Sequence, residues 1–280
     1  MRLVRNPPRI DVPTTRQERP FISSSLSPTT FSADLAELMV SPDSASAHPE
    51  THARFELQGG PPYSLDAILH VSRYVWAAEL FVQSEHHVLD FGCGTGFGVA
   101  LLSPRCAEVV GIDLDPNVVG LGEKFQLTNA QFLCANACEL NLGDALGIGG
   151  VDVVLSMETI EHLEDYFTYV ENAVSMMNQP GTFVVGTPNR TMTYNRYEDR
   201  RHMDPSHVQE FTALSLERTL GAYFDQVEMY YQYFPNFWEG AAKGIPRTLT
   251  FEDVAFHRIE DVPDEATDAF ALVAVATQPK

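Results

Sequence analysis

Residues 88–98 read Val88-Leu89-Asp90-Phe91-Gly92-Cys93-Gly94-Thr95-Gly96-Phe97-Gly98. The run up to Phe91 has the apolar character of a short strand. The glycines that follow at alternate positions let the backbone approach a ligand where any Cβ would collide. A helix is expected from near Phe97 through Val99-Ala100-Leu101-Leu102. It would turn its first free N–H groups, and the positive end of its dipole, toward that ligand. Nineteen residues after Gly94 a second apolar strand, Val109-Val110-Gly111-Ile112, ends at Asp113. An acid at that place accepts hydrogen bonds from ribose hydroxyls.

The spacing narrows the choice of cofactor. A dinucleotide fingerprint needs G-x-G-x-x-G, but the residue three after Gly94 is Phe97, and Gly96 comes one position early. The stretch resembles instead the first motif of the class I S-adenosylmethionine-dependent methyltransferases, close to VLDxGCGTGxG. The resemblance covers roughly residues 66–231 plus the last strand and is most specific at 88–98, 111–116 and 151–165. It implies S-adenosylmethionine as cofactor, held by Asp90, Gly92, Cys93, Gly94 and Gly96 of the first motif, and by Asp113 and Leu114 after the second strand. Asn136 and Ala137 after the third strand and Met157 at the end of the fourth complete that set. Relatives usually place an Asp where Asn136 stands, and the Asn side-chain oxygen can still accept from the adenine amino group. In the same family a helix before the first strand often closes over the methionine end of the cofactor. Arg73, within His70-Val71-Ser72-Arg73-Tyr74, could then pair with the cofactor carboxylate; the competing reading is a surface arginine on an amphipathic helix.

Composition sets the frame. The 280 residues are 44% hydrophobic and 10% aromatic, enough for one large α/β domain with a real core. No run of 18 apolar residues and no apolar leader segment occurs, so neither a membrane span nor a secretory signal is expected. Five arginines in the first 20 residues hint at a transit peptide, but the repeated prolines there argue against an amphipathic helix. The formal charge is −20, a surface that repels phosphate backbones and speaks against a nucleic-acid substrate. Cys93, Cys106, Cys134 and Cys138 form no C-x-x-C pair, so no zinc site or disulfide framework is signalled, and a cytoplasmic protein with reduced thiols is expected.

Residues 1–50, rich in Pro, Ser, Thr and Arg, read as a disordered extension, and residues 51–280 as the catalytic domain. Ser64 is expected to cap a helix through Phe81, and further helices follow Pro116 as far as Phe125, precede Met177 and cover Ser215–Tyr223. Strands are expected at Ala130–Ala135, Val151–Ser156, Thr182–Gly186, Val227–Tyr231 and Ala269–Thr277. Alternating strands and helices imply a Rossmann-like, doubly wound α/β sheet with helices on both faces. The resemblance implies seven strands, the last antiparallel, and residues 234–268 read as a cap-like insertion before it.

Methyl transfer from a sulfonium is an in-line displacement, so alignment is the main task. A hydroxyl acceptor also needs a base, and histidine suits that near neutral pH. Glu158, Glu161 and His162 directly follow the fourth strand, at the carboxyl edge where ligands of open α/β sheets bind. His162 is the first choice of base, with Glu161 beside it; the competing reading is that the pair only starts a helix. Glu158-x-x-Glu161-His162, with His207 downstream, also resembles the motif of two metal-using branches of the family, the ubiquinone-biosynthesis O-methyltransferases and the small-RNA terminal 2′-O-methyltransferases. That resemblance implies Mg²⁺ or Mn²⁺ on Glu158, Glu161, His162 and His207. Bacterial sugar and natural-product methyltransferases share the downstream pattern without needing a metal. Tyr194, Tyr197, Tyr230, Tyr231, Tyr233, Phe237 and Trp238 would wall an acceptor pocket or fill a core. The reading is an O-methyltransferase of a small-molecule glycoside, natural product or phenolic metabolite. N-methylation of an amino sugar, RNA 2′-O-methylation and a non-catalytic cofactor-binding module are the alternatives.

Overall fold

The computed structural model describes residues 65–192, 205–233, 254–259 and 269–280. The expected extension at 1–50, the Ser64 cap, Tyr194, Tyr197, Phe237 and Trp238 lie outside these residues. Helix α1 (Leu65–Phe81) contains no glycine or proline and buries all of residues 71–78. A helix covered all round is held by packing rather than by a single apolar stripe.

The strands follow as β1 (His87–Phe91), β2 (Glu108–Asp113), β3 (Ala130–Cys134), β4 (Val151–Met157), β5 (Met177–Pro188), β6 (Phe224–Tyr233), β7 (Ala255–Arg258) and β8 (Ala271–Pro279). They form one sheet in the order β3-β2-β1-β4-β5-β8-β6-β7. β1 to β5 are mutually parallel, and β8 runs antiparallel to both β5 and β6. Between the strands lie helices α2 (Phe97–Leu102), α3 (Leu121–Lys124), α4 (Leu142–Leu146), α5 (Tyr166–Met176) and α6 (Ala213–Gly221).

Successive side chains of a strand point to opposite faces, and here neighbours feed two separate cores. Val88, Val153 and Val184 pack with α1 and α2, whereas Leu89, Val154 and Val185 pack with α5 and α6. Both faces of the central strands are therefore covered, the doubly wound arrangement expected. The order reverses at β1, which has β2 on one side and β4 on the other. The loops leaving β1 and β4 go to opposite faces, and the crevice between them is where such sheets bind ligands.

The sheet has eight strands rather than seven. The additional one, β7, pairs antiparallel with β6 and arises from the stretch read as an insertion. Its Phe256 stacks on Trp76 of α1, ring centroids 4.9 Å apart. Other elements differ as well. The helix expected after Pro116 is a 3₁₀ turn, Pro116–Gly120, followed by the one-turn α3. β5 starts at Met177, before the Gln-Pro-Gly that reads as a turn, because Met177 pairs with Val151 ahead of a register shift. Helix α4 was not expected at all; Asn141 and Gly147, both left-handed, bracket its five residues.

Candidate cofactor and acceptor site

The turn after β1 is fixed from beneath. The N–H groups of Gly92 and Cys93 both donate to the carbonyl of Ile112 in β2, at 2.8 and 3.0 Å. Gly94 then takes φ +52, and among the described residues no atom beyond its chain neighbours lies within 4 Å of where its Cβ would stand. Its N–H donates to Asp113 Oδ2 at 2.8 Å, and Asp113 Oδ1 accepts from Asp115 N–H at 3.0 Å. The expected ribose acceptor is thus oriented by backbone donors at the mouth of the crevice, facing an open glycine. Gly92 differs: at φ +92 its Cβ would stand 2.2 Å from Thr159 Oγ1, so it brings the β1 and β4 loops together. Gly96 is the left-handed cap of α2.

The other expected cofactor residues divide by exposure. Leu114 and Asn136 are exposed beside Asp113, and Asn136 Oδ1 accepts from the N–H of Cys138 at 3.0 Å. Ala137 is half-buried, its carbonyl accepting from Asn172 at 2.9 Å. Cys93 and Met157 point inward and are buried, so any share they take in a ligand is through backbone. Burial also pushes the Cys93 thiol up. Asp90 is fully buried, accepts from Tyr74 OH at 2.8 Å and leaves Oδ2 without a partner. Burial lifts its carboxyl to about 7, the Tyr74 bond opposing and the Asp113 charge adding to the shift.

Arg73 is no surface arginine. It is 2% exposed, its Nη1 is bonded to Glu158 Oε1, and its Nε is buried without a partner. Glu158 opens the loop after β4 in a left-handed backbone, φ 54, with its N–H on the Gly186 carbonyl at 2.8 Å. His70 Nε2 lies 3.9 Å from the other Glu158 oxygen. Burial, and after it the Arg73 charge, hold His70 well below the usual imidazole range.

Beyond Glu158 the loop turns through a 3₁₀ segment, Ile160–His162. Glu161 is fully buried: Thr187 donates to its Oε2 at 2.8 Å, while Oε1 has no hydrogen-bond partner. Burial first, and the Glu158 charge second, push its carboxyl well above the ordinary range. The Glu161 carbonyl accepts from the N–H groups of Val208 and Gln209 at 2.9 and 3.1 Å, and so docks the downstream segment. That docking brings His207 onto His162, ring centroids 4.8 Å apart and edge to face. His162 Nδ1 lies 3.0 Å from the Ser206 carbonyl, and His207 Nδ1 lies 3.1 Å from Glu210 Oε1. Of the four expected metal ligands, Glu161, His162 and His207 converge, one ligand atom of each within 4.8 Å of the others. Glu158 is turned to Arg73 instead.

Sequence reading missed Glu210, which is buried with Oε2 unpartnered, and the Ser206 carbonyl. The H-x-x-E spacing of His207 and Glu210 was a usable signal; the Ser206 contact had none. Of the expected aromatic wall, Tyr231 is core, Tyr230 packs edge-on against Trp76 with centroids 4.9 Å apart, and Tyr233 lies 4.7 Å from His257.

Residues 89–185 match the family described as Methyltransferase domain. Over 133 residues the chain is 33% identical to a probable S-adenosylmethionine-dependent methyltransferase of Mycolicibacterium smegmatis, an overlap of 48% of this chain and 49% of that protein. Over 107 residues it is 30% identical to a ubiquinone biosynthesis O-methyltransferase of Bradyrhizobium diazoefficiens, covering 37% and 40% respectively. The chain spans about half the length of the curated relatives it matches. Among solved structures, the N-methyltransferase NodS of Bradyrhizobium japonicum, in complex with S-adenosyl-L-homocysteine, superposes with a TM-score of 0.50 at 16% identity over 84% of this chain and 94% of that one. At that identity the likeness speaks for the fold alone. No helix among the described residues is long and apolar enough to cross a membrane.

Proposed function

We propose that the chain is a class I S-adenosylmethionine-dependent methyltransferase, a reading supported by the matched residues 89–185 and by its curated relatives, and that it methylates a hydroxyl of a small-molecule acceptor, a glycoside, natural product or phenolic metabolite, with His162 as general base. One observation carries the choice of base. A carbonyl oxygen only accepts, so the 3.0 Å contact to Ser206 O puts the ring hydrogen of neutral His162 on Nδ1 and makes Nε2, 3.8 Å from Glu161 Oε1, the basic nitrogen.

The residues present fit the cofactor. Gly94 leaves open space over the turn, Asp113 offers a preset acceptor for ribose hydroxyls, and the unpartnered Arg73 Nε offers a buried donor for a carboxylate. When bound, S-adenosylmethionine supplies an electrophilic methyl group on sulfur. The chain's own work is to hold the acceptor oxygen in line with that methyl group and to receive the proton the oxygen loses, at His162 Nε2. Glu161, buried beneath, fixes the loop through Thr187 and the docked segment.

Labelled methyl transfer to a panel of hydroxyl-bearing small molecules tests this. His162→Ala should cut the rate roughly 10²- to 10⁴-fold and leave S-adenosylhomocysteine binding intact. Undiminished transfer in that variant would remove His162 from the reaction, and label entering RNA would overturn the acceptor class.

A second reading has its own support, the convergence of Glu161, His162 and His207 with Glu161 Oε1 unpartnered. These three residues suit Mg²⁺ or Mn²⁺, which would lower the pKa of an acceptor hydroxyl. Mn²⁺ titration of the wild type against Glu161→Gln decides it: equal, negligible binding by both proteins removes the metal.

A further inference from the structure

We propose that Glu158 is an internal stand-in for the cofactor carboxylate, holding Arg73 until that carboxylate displaces it. The inference rests on the reading of Arg73 as the carboxylate's partner, and it assigns Glu158 to setting cofactor affinity rather than to the metal.

The two halves of the ion pair are unequal. Arg73 sits in the covered helix α1, 2% exposed, and a Cβ on Gly186 of β5 would stand 3.3 Å from its Cδ. A buried guanidinium without an anion is strongly disfavoured, so it needs a counter-charge whether or not a ligand is present, and it has no room to leave. Glu158 is 21% exposed at the start of a loop, and it holds a left-handed backbone, φ 54, that non-glycine residues adopt only at a cost. Glu158 is therefore the partner able to go.

The pair is also incomplete. Only Nη1 of Arg73 is bonded to Glu158, and Nε is buried and unpartnered. A guanidinium fork binds a carboxylate best through two parallel N–H donors. An arriving carboxylate that bridges Nε and Nη2, the edge beside the Glu158 contact, would satisfy the orphaned donor through two points, place a second negative charge on the same guanidinium, and repel Glu158 toward solvent. Affinity for any ligand bearing that carboxylate is then weakened by the need to evict Glu158, whereas a ligand without it is unaffected.

S-adenosylhomocysteine and 5′-methylthioadenosine share nucleoside and sulfur, and only the first carries the amino-acid carboxylate. Calorimetric titration of the full chain with each should show that Glu158→Gln binds S-adenosylhomocysteine at least tenfold more tightly than wild type, with 5′-methylthioadenosine unchanged within twofold. Weaker binding of S-adenosylhomocysteine, or equal tightening of both ligands, overturns the proposal. Arg73→Lys separates the underlying reading. If that variant loses the preference for S-adenosylhomocysteine while Glu158→Gln changes nothing, Arg73 does hold the carboxylate and the stand-in role fails; if neither variant alters the preference, the reading of Arg73 fails as well. Should Glu158→Gln not fold, hydrogen exchange on the wild type gives the same decision. Amides 158–163 should lose protection with S-adenosylhomocysteine and not with 5′-methylthioadenosine, and equal protection in the two complexes overturns the exchange.

Discussion

Gly94→Ala separates a glycine kept for a ligand from one kept for the fold. Gly94 has φ +52 and, among the described residues, nothing beyond its chain neighbours within 4 Å of its missing Cβ, so the new methyl group has open space there. The cost to the fold is then the left-handed backbone of an L-residue, about 1–2 kcal/mol. At roughly 2–4 °C per kcal/mol for a domain of comparable size, the melting temperature should fall by about 2–8 °C. A cofactor lying on the turn would meet the methyl group directly, and packing an extra carbon into a fitted contact costs about 1–3 kcal/mol, roughly 5- to 150-fold in Kd. Gly92→Ala is the contrasting control: its Cβ would stand 2.2 Å from Thr159 Oγ1, so the two loops must part and stability suffers before any ligand arrives. Melting by near-ultraviolet circular dichroism and titration with S-adenosylhomocysteine give both numbers. A Gly94→Ala protein that melts a few degrees lower yet binds as tightly as wild type would show that no ligand rests on the turn, and the cofactor site would have to be sought elsewhere.

Asp113→Asn should weaken S-adenosylhomocysteine and 5′-methylthioadenosine alike, by roughly 10- to 150-fold for a lost charged hydrogen bond; loss of only the first would mean that Asp113 serves the amino-acid end rather than the ribose. Asp90 gives a pH signature. Its folded carboxyl is raised from 3.8 to about 7, so the native state binds the extra proton in that window and unfolding free energy falls as pH rises from about 4 to 7, by up to about 4 kcal/mol. The fall seen in urea unfolding should be smaller in Asp90→Asn than in the wild type, with what remains owed to the likewise raised Glu161, and identical pH slopes would refute the assignment to Asp90.

What could be read in advance was what is local. The turn from Asp90 to Gly98 is contiguous, and its function follows from glycines at fixed spacing, so its geometry over Asp113 was foreseeable. β7 was not: Ala255-Phe256-His257-Arg258 has no alternation of its own and is a strand because β6 presents Tyr230–Tyr233 to it and Trp76 receives Phe256. The same distinction explains the site. Glu158, Glu161 and His162 stand within one turn in sequence and were grouped for that reason. In the fold Glu158 enters a left-handed backbone and meets Arg73, 85 residues earlier, while Glu161 turns inward to Thr187 and carries the segment that delivers His207. Spacing could bring the three residues to one loop, but the tertiary partners decide which way each faces, and they split the motif in two. On the proposed function Glu158 would face the cofactor with Arg73, and Glu161 and His162, in the adjoining 3₁₀ turn Ile160–His162, would face the acceptor with His207. Displacing Glu158 would therefore pull on the same turn that sets His162, and under that proposal filling of the cofactor site would be linked to the position of the proposed base.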